Sequence, residues 1–409
     1  MPWKETCALD QRTQFIAAVL ANGESITELC RRFGISRRTG YKWLTRYREE
    51  GFTGLLEHSR ARRTQAHATP EPIVELVLAA RMAHPTWGPR KLRAFLSRKY
   101  PSASFPSPST IGGILKRNGL VSPRRRRKRA NPTAGPLGDP QGSNESWSID
   151  FKGQFRLEDR KWCYPLTLLD GHSRYLLCCR GLQGVRTEGV WPVMESLFME
   201  YGLPASIRSD NGAPFAGVSF TGLTQLSAWW VMLGIRLERI QPGNPQQNGR
   251  LERLHRTLKA ETTLPAASSM LAQQRRFDAF QQEYNEDRPH ESLENETPAM
   301  HYRRSQRQYT RTPPEPEYPP EAELRKVDTV GVSRFHGLRV STSQALAGQT
   351  VGFVPVSDHE WQVRFYNHLL GTLDERAQTL SNGVITRSAA KRVGDKRRRV
   401  VVPMMRGHL

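Results

Sequence analysis

Cysteine is scarce in this chain, and its few cysteines follow no pairing pattern. Five are present among 409 residues: Cys7, Cys30, Cys163, Cys178 and Cys179. Their number is odd and no two stand in a Cys-x-x-Cys spacing, so neither a disulfide framework nor a cysteine zinc site is indicated. The sequence therefore favours a reducing compartment.

Long apolar runs are also absent. The first ten residues, MPWKETCALD, contain no apolar segment of the signal-peptide type. No apolar run reaches the length of about 20 residues that a membrane-spanning helix needs. We therefore expect a cytoplasmic protein with no membrane partner.

Negative charge is the third shortage. Lysine and arginine number 61 against 39 aspartate and glutamate residues, which gives a formal net charge of +22. An excess of this sign favours a polyanionic partner, and nucleic acid is the usual one. A ribosomal-type or merely soluble basic protein remains the alternative.

The N-terminal part is predicted to be all-α, with a helix-turn-helix domain at 1–60. Ser25 and Glu28 form a capping box, Gly34 provides a tight turn, and Ser36 caps a third helix. The candidate DNA contacts lie in the first turns of that helix: Arg37, Arg38, Thr39 and Lys42. The alternative is an ordinary three-helix unit with solvated arginines.

A second helix-turn-helix-like domain is predicted at 61–121, with helices near 71–83, 90–100 and 109–118. Thr69 and Ser109 are the expected helix caps. The composition of residues 122–146 then predicts a basic flexible linker. It contains four candidate phosphate contacts: Arg124, Arg125, Arg126 and Arg127.

From Trp147 the pattern changes to alternation, because Trp147 and Ile149 alternate with Ser148 and Asp150. The elements expected between 147 and 310 are three antiparallel strands (147–152, 162–169, 174–179), a helix (187–201), a strand (205–209), a helix (223–233), a strand (235–240), and helices from 249, 270–286 and 298–308. This order predicts an α/β domain with a mixed sheet.

The C-terminal part is predicted to be β-rich. Residues 311–326 form a Pro-rich linker, and 327–388 contain short strands separated by Gly and Asp/Asn turns. We expect a small β-barrel there, with a β-sandwich as the alternative, followed by a basic tail at 389–409.

One acid opens a helix that follows a Pro/Gly/Asn/Gln loop. Glu252 lies in the first turn, and three leucines form one stripe of the helix: Leu251, Leu254 and Leu258. Glu252, His255, Arg256 and Lys259 are assigned to the opposite stripe. His255 and Lys259 are therefore candidate DNA contacts, with an ordinary surface histidine as the alternative for His255.

Asp150, Asp210 and Glu252 are the candidate metal ligands. Magnesium prefers hard oxygen ligands, and two ions suit an in-line phosphoryl displacement. Asp150 on its rigid strand would bridge both ions, with Asp210 and Glu252 on one ion each. Because the chain contains 39 acids, a set of three chosen without their flanking residues is a weak prediction of a metal site. Asp170 is a competing acid, which we interpret as a turn residue that bonds Ser173 or Arg174.

The residues around the three acids resemble those of DDE transposases of bacterial insertion sequences, which share the RNase H-like core of retroviral integrases. The matching motifs are WSIDFKG around Asp150, IRSDNGAPF around Asp210, Pro245–Glu252 (PQQNGRLE) and Tyr284–His290 (YNEDRPH). The resemblance covers about residues 140–305, and the N-terminal helix-turn-helix pair also matches the family's arrangement.

The resemblance implies that Asp150, Asp210 and Glu252 are catalytic metal ligands for two magnesium ions, with manganese as an alternative. It implies cleavage at transposon ends and strand transfer by the freed 3′-hydroxyl. The implied partners are double-stranded DNA, as terminal inverted repeats and target DNA, and further copies of the chain on paired ends. The implied location is the bacterial cytoplasm, at the nucleoid.

The chain departs from the family at two points. Forty-one residues separate Asp210 from Glu252, more than the usual spacing, and we expect the extra residues around 215–230. The His/Cys zinc module of retroviral relatives is missing, so no zinc is expected. The competing hypotheses are a helix-turn-helix regulator with a non-catalytic core and a simple RNase H-like nuclease.

Overall fold

The computed structural model describes residues 7–57, 68–121, 138–217, 219, 221–241, 244–381 and 385–387. Two predicted features, the arginines at 124–127 and the tail at 389–409, lie outside the described residues. The chain divides into two compact units, Met1–Thr69 and Pro70–Leu409. Among the described helices, none is both long enough and apolar enough to cross a membrane.

In the first unit the described residues form three α-helices, α1 (Ala8–Leu20), α2 (Ile26–Arg32) and α3 (Arg37–Glu50), and a 3-10 helix at Gly51–Leu55. The predicted caps are confirmed, since the side chains of Ser25 and Ser36 accept hydrogen bonds from the N–H groups of Glu28 and Thr39. Gly34 has a φ of +63°, which suits the turn before α3. The core includes Phe15, Ile16, Leu29, Trp43 and Leu44.

The second unit opens with α4 (Glu71–Ala83), α5 (Pro89–Lys99) and α6 (Pro108–Arg117). The three helices are where the sequence predicts them, but two predicted caps are wrong. Pro70, not Thr69, precedes α4. Ser107, not Ser109, caps α6 by accepting from the N–H of Thr110, because the helix already begins at Pro108.

A mixed sheet forms the centre of the second unit. Its strands are β1 (Ser146–Phe151), β2 (Phe155–Arg156), β3 (Trp162–Asp170), β4 (Leu176–Leu182), β5 (Ser206–Ser209) and β6 (Arg236–Arg239). β1 is antiparallel to β3 and parallel to β5, while β3 pairs antiparallel with β4 and β5 pairs parallel with β6. The predicted mixed sheet is confirmed, and the short β2 is an addition to it.

Helices cover both faces of this sheet: α7 (Thr187–Tyr201), α8 (Gln225–Met232), α9 (Gly249–Thr262), α10 (Met270–Glu286) and α11 (Pro298–His301). Side chains of α7 and α8 pack with Trp147 and Ile149. The leucines of α9 pack with α10 and with Leu169 and Leu176. The core therefore has two layers, and the strand alternation decides which side chains enter each.

The predicted helix at 298–308 is wrong beyond His301. The chain continues as an extended segment in which the N–H of Ser305 bonds the carbonyl of Tyr201 at 3.0 Å. The Arg307 carbonyl accepts from the N–H of Leu203 at 2.7 Å. These long-range bonds satisfy the backbone in place of helical ones.

Two antiparallel sheets follow, built from β7 (Glu323–Lys326), β8 (Val332–Phe335), β9 (Leu338–Ser341), β10 (Thr350–Pro355), β11 (Glu360–Phe365), β12 (His368–Asp374), β13 (Thr379–Leu380) and β14 (Ile385–Arg387). The strand orders are β13-β12-β11-β10-β7 and β14-β9-β8. β7 lies within the predicted linker at 311–326, which is therefore shorter than expected.

The segment around 215–230, where we expect the extra residues between Asp210 and Glu252, includes part of α8. Leu223, together with Ala228 and Val231 on α8, belongs to the same buried cluster as the C-terminal strands. The opposite side of α8, at Trp229 and Trp230, packs into the central core. This segment therefore joins the central sheet to the C-terminal sheets.

Arg288 holds the α4–α6 bundle against the central domain. Only 6% of this residue is exposed, and its Nη1 lies 2.9 Å from Oε1 of Glu261. Its guanidinium is also 5.8 Å from the ring centre of Trp87, on the α4–α5 turn. His84 on the same turn bonds Glu283 of α10 at 3.0 Å. Part of the YNEDRPH motif therefore serves docking of the bundle.

Arg288→Ala is expected to destabilise the unit Pro70–Leu409 by about 3 kcal/mol, because it leaves the partly buried Glu261 without its cation, with only the Thr86 hydroxyl as a donor. Arg275→Ala, at an exposed position on α10, is the matched control and should change stability by less than about 0.5 kcal/mol. Denaturant unfolding of the full-length variants measures both. Equal effects of the two substitutions would contradict the docking role.

Candidate active site and nucleic-acid surfaces

Asp150 is held by a central strand. It lies on β1 between neighbours on both sides, and 26% of its side chain is exposed. Its partner on β3 is Thr167, whose hydroxyl donates to the Asp150 carbonyl oxygen at 3.1 Å. Because Trp147 and Ile149 fill the apolar face, Asp150 lies on the opposite face, as the alternation predicts.

Asp210 and Glu252 approach from neighbouring elements. Asp210 directly follows β5, the parallel partner of β1, and its Oδ1 accepts from the N–H of Gly212 at 3.2 Å. Glu252 is exposed in the first turn of α9. Leu251, Leu254 and Leu258 anchor that helix, since each is at most 2% exposed.

The electrostatics of Asp150 show that the three acids share one neighbourhood. Its pKa is raised to about 7, chiefly by burial, then by the carboxylate of Asp210 and, to a smaller extent, by that of Glu252. Nearby negative charges disfavour the ionised form of a carboxyl group. A bound cation would lower this free-energy cost of ionisation.

The donor set fits a hard divalent cation by its chemistry, since three carboxylates supply only oxygen ligands. Among the described residues, however, no three His, Cys, Asp or Glu side chains already form a closed ligand group. Asp150, Asp210 and Glu252 would therefore have to draw closer together to hold an ion.

His255 is largely buried, contrary to its predicted position on the exposed stripe of α9. The residue is 7% exposed, and its Nε2 lies 2.7 Å from the Thr167 hydroxyl. Its Nδ1 is 3.8 Å from Oδ2 of Asp150. Both the DNA-contact prediction and the surface-histidine alternative are wrong, because the ring packs between α9 and β3 beside Asp150.

His255 should remain neutral throughout the physiological range. Burial lowers its pKa from 6.5 to about 3, and the nearby Lys152 acts in the same direction. We therefore expect its imidazole NMR signals not to titrate between pH 5 and pH 8. Comparison with spectra of His255→Gln assigns the signals. A midpoint above pH 5 would show that the ring is protonated beside Asp150.

Asp170 is a turn residue, as predicted. It is fully buried, and Oδ1 accepts from both the N–H and the hydroxyl of Ser173, at 2.8 and 2.6 Å. Its Oδ2 accepts from the N–H of Asn144 at 2.7 Å. With both oxygens engaged by the protein, Asp170 does not compete for a metal-ligand role.

The other candidate DNA contacts that the structure describes lie on helices α3 and α9. Lys259 is exposed on α9. In the first unit, Arg37, Arg38 and Lys42 are exposed on α3, whereas Thr39 is half-buried and its hydroxyl bonds that of Ser36 at 2.9 Å. Three cations therefore face solvent from the first turns of α3.

Arg239 is a neighbour of the acids that sequence reasoning missed. Its Nη1 donates to the Ser209 hydroxyl at 3.2 Å and to the Asp210 carbonyl at 3.4 Å. The only signal is the parallel register that pairs Ser209 with Arg239, and this register is invisible before β5 and β6 are placed together.

Family models match most of these regions. Two models described as integrase core domains match residues 140–245 and 233–298. A helix-turn-helix domain matches residues 11–63, and a homeodomain-like domain matches residues 39–115.

Similar proteins come from bacterial insertion elements. The chain is 30% identical over 231 residues to the insertion element IS407 uncharacterized 31.7 kDa protein of Burkholderia multivorans, covering 53% of this chain and 77% of that protein. It is 26% identical over 308 residues to the IS476 uncharacterized 39.2 kDa protein of Xanthomonas euvesicatoria, covering 68% and 84%. A chain of the simian T-cell lymphotropic virus intasome overlaps 72% of this chain and 97% of its own length, with 17% identity and a TM-score of 0.36. The protein therefore belongs to the DDE transposases of bacterial insertion sequences, and its function is transposition.

Proposed function

We propose that this transposase cuts DNA at the ends of its element and joins the freed ends to target DNA, with Asp150, Asp210 and Glu252 as its catalytic carboxylates. The observation that carries the proposal is the placement of the acids: Asp150 lies on β1, Asp210 directly follows its parallel partner β5, and Glu252 opens α9, whose His255 adjoins Asp150. The pKa of Asp150, raised to about 7 by burial and then by the other two acids, agrees with this placement. Strongly perturbed carboxyl groups of this kind are enriched at catalytic sites.

The three carboxylates would hold two divalent ions, magnesium or alternatively manganese. When bound, such ions stabilise the charge of the attacking and leaving oxygens in a phosphoryl displacement. Asp150 would be the most rigidly held of the three ligands, because it lies on a central strand. Glu252 is the most adjustable ligand, since it follows a loop and lies at a helix start.

Neighbouring groups orient the acids. Thr167 bonds both the Asp150 backbone and His255, so the neutral imidazole is fixed beside the carboxylate without adding a competing cation. Arg239 holds the backbone of Asp210. These bonds hold the backbones of Asp150 and Asp210, and the proposal leaves their carboxylate oxygens available to ions and DNA.

The finer assignments follow from this proposal. The central sheet is of the RNase H type, and the two C-terminal sheets form a small barrel.

Transposon terminal repeats bind the helix-turn-helix domains, with Arg37, Arg38 and Lys42 as contacts. The arginines at 124–127 and Lys259 contact phosphates. The protein acts as a homo-oligomer on paired ends, in the bacterial cytoplasm at the nucleoid.

The test uses full-length protein and a duplex that carries the element's terminal sequence. With magnesium we expect cleavage that leaves a 3′-hydroxyl at the element end, followed by joining to a second duplex, and with EDTA we expect neither. Specific binding without cleavage under all divalent ions would instead support the alternative, a helix-turn-helix regulator with a non-catalytic core.

A further inference from the structure

A basic cavity of about 1030 Å³ lies between the α4–α6 bundle and the α9–α10 side of the central domain. Seven basic side chains and one acidic side chain line it, and the lining includes none of Asp150, Asp210 and Glu252. The cavity is therefore separate from the acid cluster, and its walls are strongly positive.

Four of the lining cations are unpaired. Arg90 and Lys91 of α5, and Arg253 and Arg256 of α9, form no salt bridge or side-chain hydrogen bond within the described residues. Lys91 is partly buried, and its pKa falls to about 8 through burial and then through the charges of Arg288 and Arg253. Within the part of the chain that the structure describes, the charges of these four side chains therefore have no ion-pair partner.

Two helices also begin at the cavity wall without a side-chain cap. The cap residue of α5 is Gly88 and that of α9 is Asn248, and neither makes a capping side-chain hydrogen bond. The first N–H of α9, on Gly249, donates to the Gln246 carbonyl, and Pro89 at the start of α5 has no N–H. The positive ends of the two helix dipoles still favour an anion here. The donors suited to phosphate oxygens are the four unpaired cations.

We propose that this cavity binds the phosphate backbone of the DNA end, as a second nucleic-acid site beside the acid cluster. The inference rests on the proposed function. α9 connects the two sites, because Glu252 and Lys259 lie on one flank, while Arg250, Arg253 and Thr257 line the cavity on the other. A backbone held by the cavity can continue across the start of α9 toward Glu252.

A DNA backbone fits the cavity better than a free nucleotide does. The unpaired cations come from two separate elements, the bundle and α9, so that phosphates at more than one position are needed to neutralise them. The aliphatic leucines of the lining, Leu169 and Leu254, are core side chains at most 2% exposed. The lining Tyr284 is also only 6% exposed, so none of these three side chains offers much surface on which a single base could stack.

The test measures binding of full-length protein to a terminal-sequence duplex in EDTA, between 50 and 200 mM salt. Two double variants, Arg90→Gln/Lys91→Gln and Arg253→Gln/Arg256→Gln, probe the two walls. Each should weaken binding about tenfold and flatten the slope of log affinity against log salt by about 2, one unit for each phosphate that the variant no longer neutralises. The matched control is Arg180→Gln/Arg275→Gln, which removes the same charge at exposed positions outside the cavity.

An unchanged salt slope in both cavity variants would overturn the inference, as would an equal change in the control. Binding of inorganic phosphate that the cavity variants abolish, with DNA affinity unaltered, would show a small-anion site instead. Should one double variant fail to fold, the other wall supplies the same test. Because no cleavage is measured, failure here is distinguishable from failure of the proposed function, in which the end is bound but never cut.

Discussion

Asp150→Asn will lower cleavage and strand transfer by about a thousandfold or more while DNA-end affinity stays within about twofold of wild type. Asparagine keeps the size of the side chain but cannot supply a carboxylate, so the ligand proposed to bridge two ions is lost. Asp150 lies on a strand that pairs with β3 along its length from Trp147 to Phe151 and with β5 from Ser146 to Ser148. The substitution should therefore leave the fold and the helix-turn-helix surfaces intact.

Asp159→Asn is the matched control for this result. Asp159 is an exposed acid of the same domain, in the turn after β2, and its ion pair with Lys161 is long at 3.5 Å. It should retain wild-type strand transfer. Equal activity of Asp150→Asn and this control would remove Asp150 from the catalytic role.

The same Asp150→Asn substitution should stabilise the metal-free protein at pH 8, by roughly 2–4 kcal/mol. The ordinary pKa of this carboxyl group is 3.8, and in the folded protein it is about 7. Well below pH 4 the Asp150 carboxyl group is protonated in both the folded and the unfolded protein. Between pH 4 and 7 the unfolded chain loses its proton while the folded chain keeps it, so wild-type stability falls as the pH rises. Above pH 7 the wild-type protein bears the full free-energy cost of ionising the buried Asp150. Asparagine does not ionise, so the variant is not destabilised in this way.

The measurement is denaturant unfolding of both proteins in EDTA from pH 4 to pH 8. His255 and His290, whose pKa values fall to about 3 through burial, act in the opposite direction over part of this range. The effect of His290 cancels in the difference between variant and wild type. His255 adjoins Asp150, so its titration is followed by NMR in both proteins and its contribution subtracted. The remaining difference should grow with pH up to about 7. A difference that is constant across the range would mean that Asp150 has no raised pKa.

Much of the fold follows from local patterns in the sequence. The caps Ser25 and Ser36, the alternation around Asp150 and the turn at Asp170 are short-range features, and the structure confirms each of them. The cap predictions at Thr69 and Ser109 fail by one or two residues, because several residues near each helix start could serve and local spacing does not choose among them.

The environment of His255 could not be read from the helix alone. His255 follows Leu251 by four residues, so it lies close to the leucine stripe, and only the position of Thr167 on β3 decides that the ring is buried. The basic cavity was also missed. It depends on contacts such as that between His84 and Glu283, which are 199 positions apart in the chain.

The most direct test of the account compares strand transfer by Asp150→Asn, Asp210→Asn, Glu252→Gln and their pairwise combinations in magnesium. Groups that act as one site are strongly non-additive. We predict that every single substitution lowers activity to a common floor, about a thousandfold or more below wild type, and that no pair lowers it further. A single variant that keeps activity within about tenfold of wild type would contradict the claim that these three acids form one catalytic site.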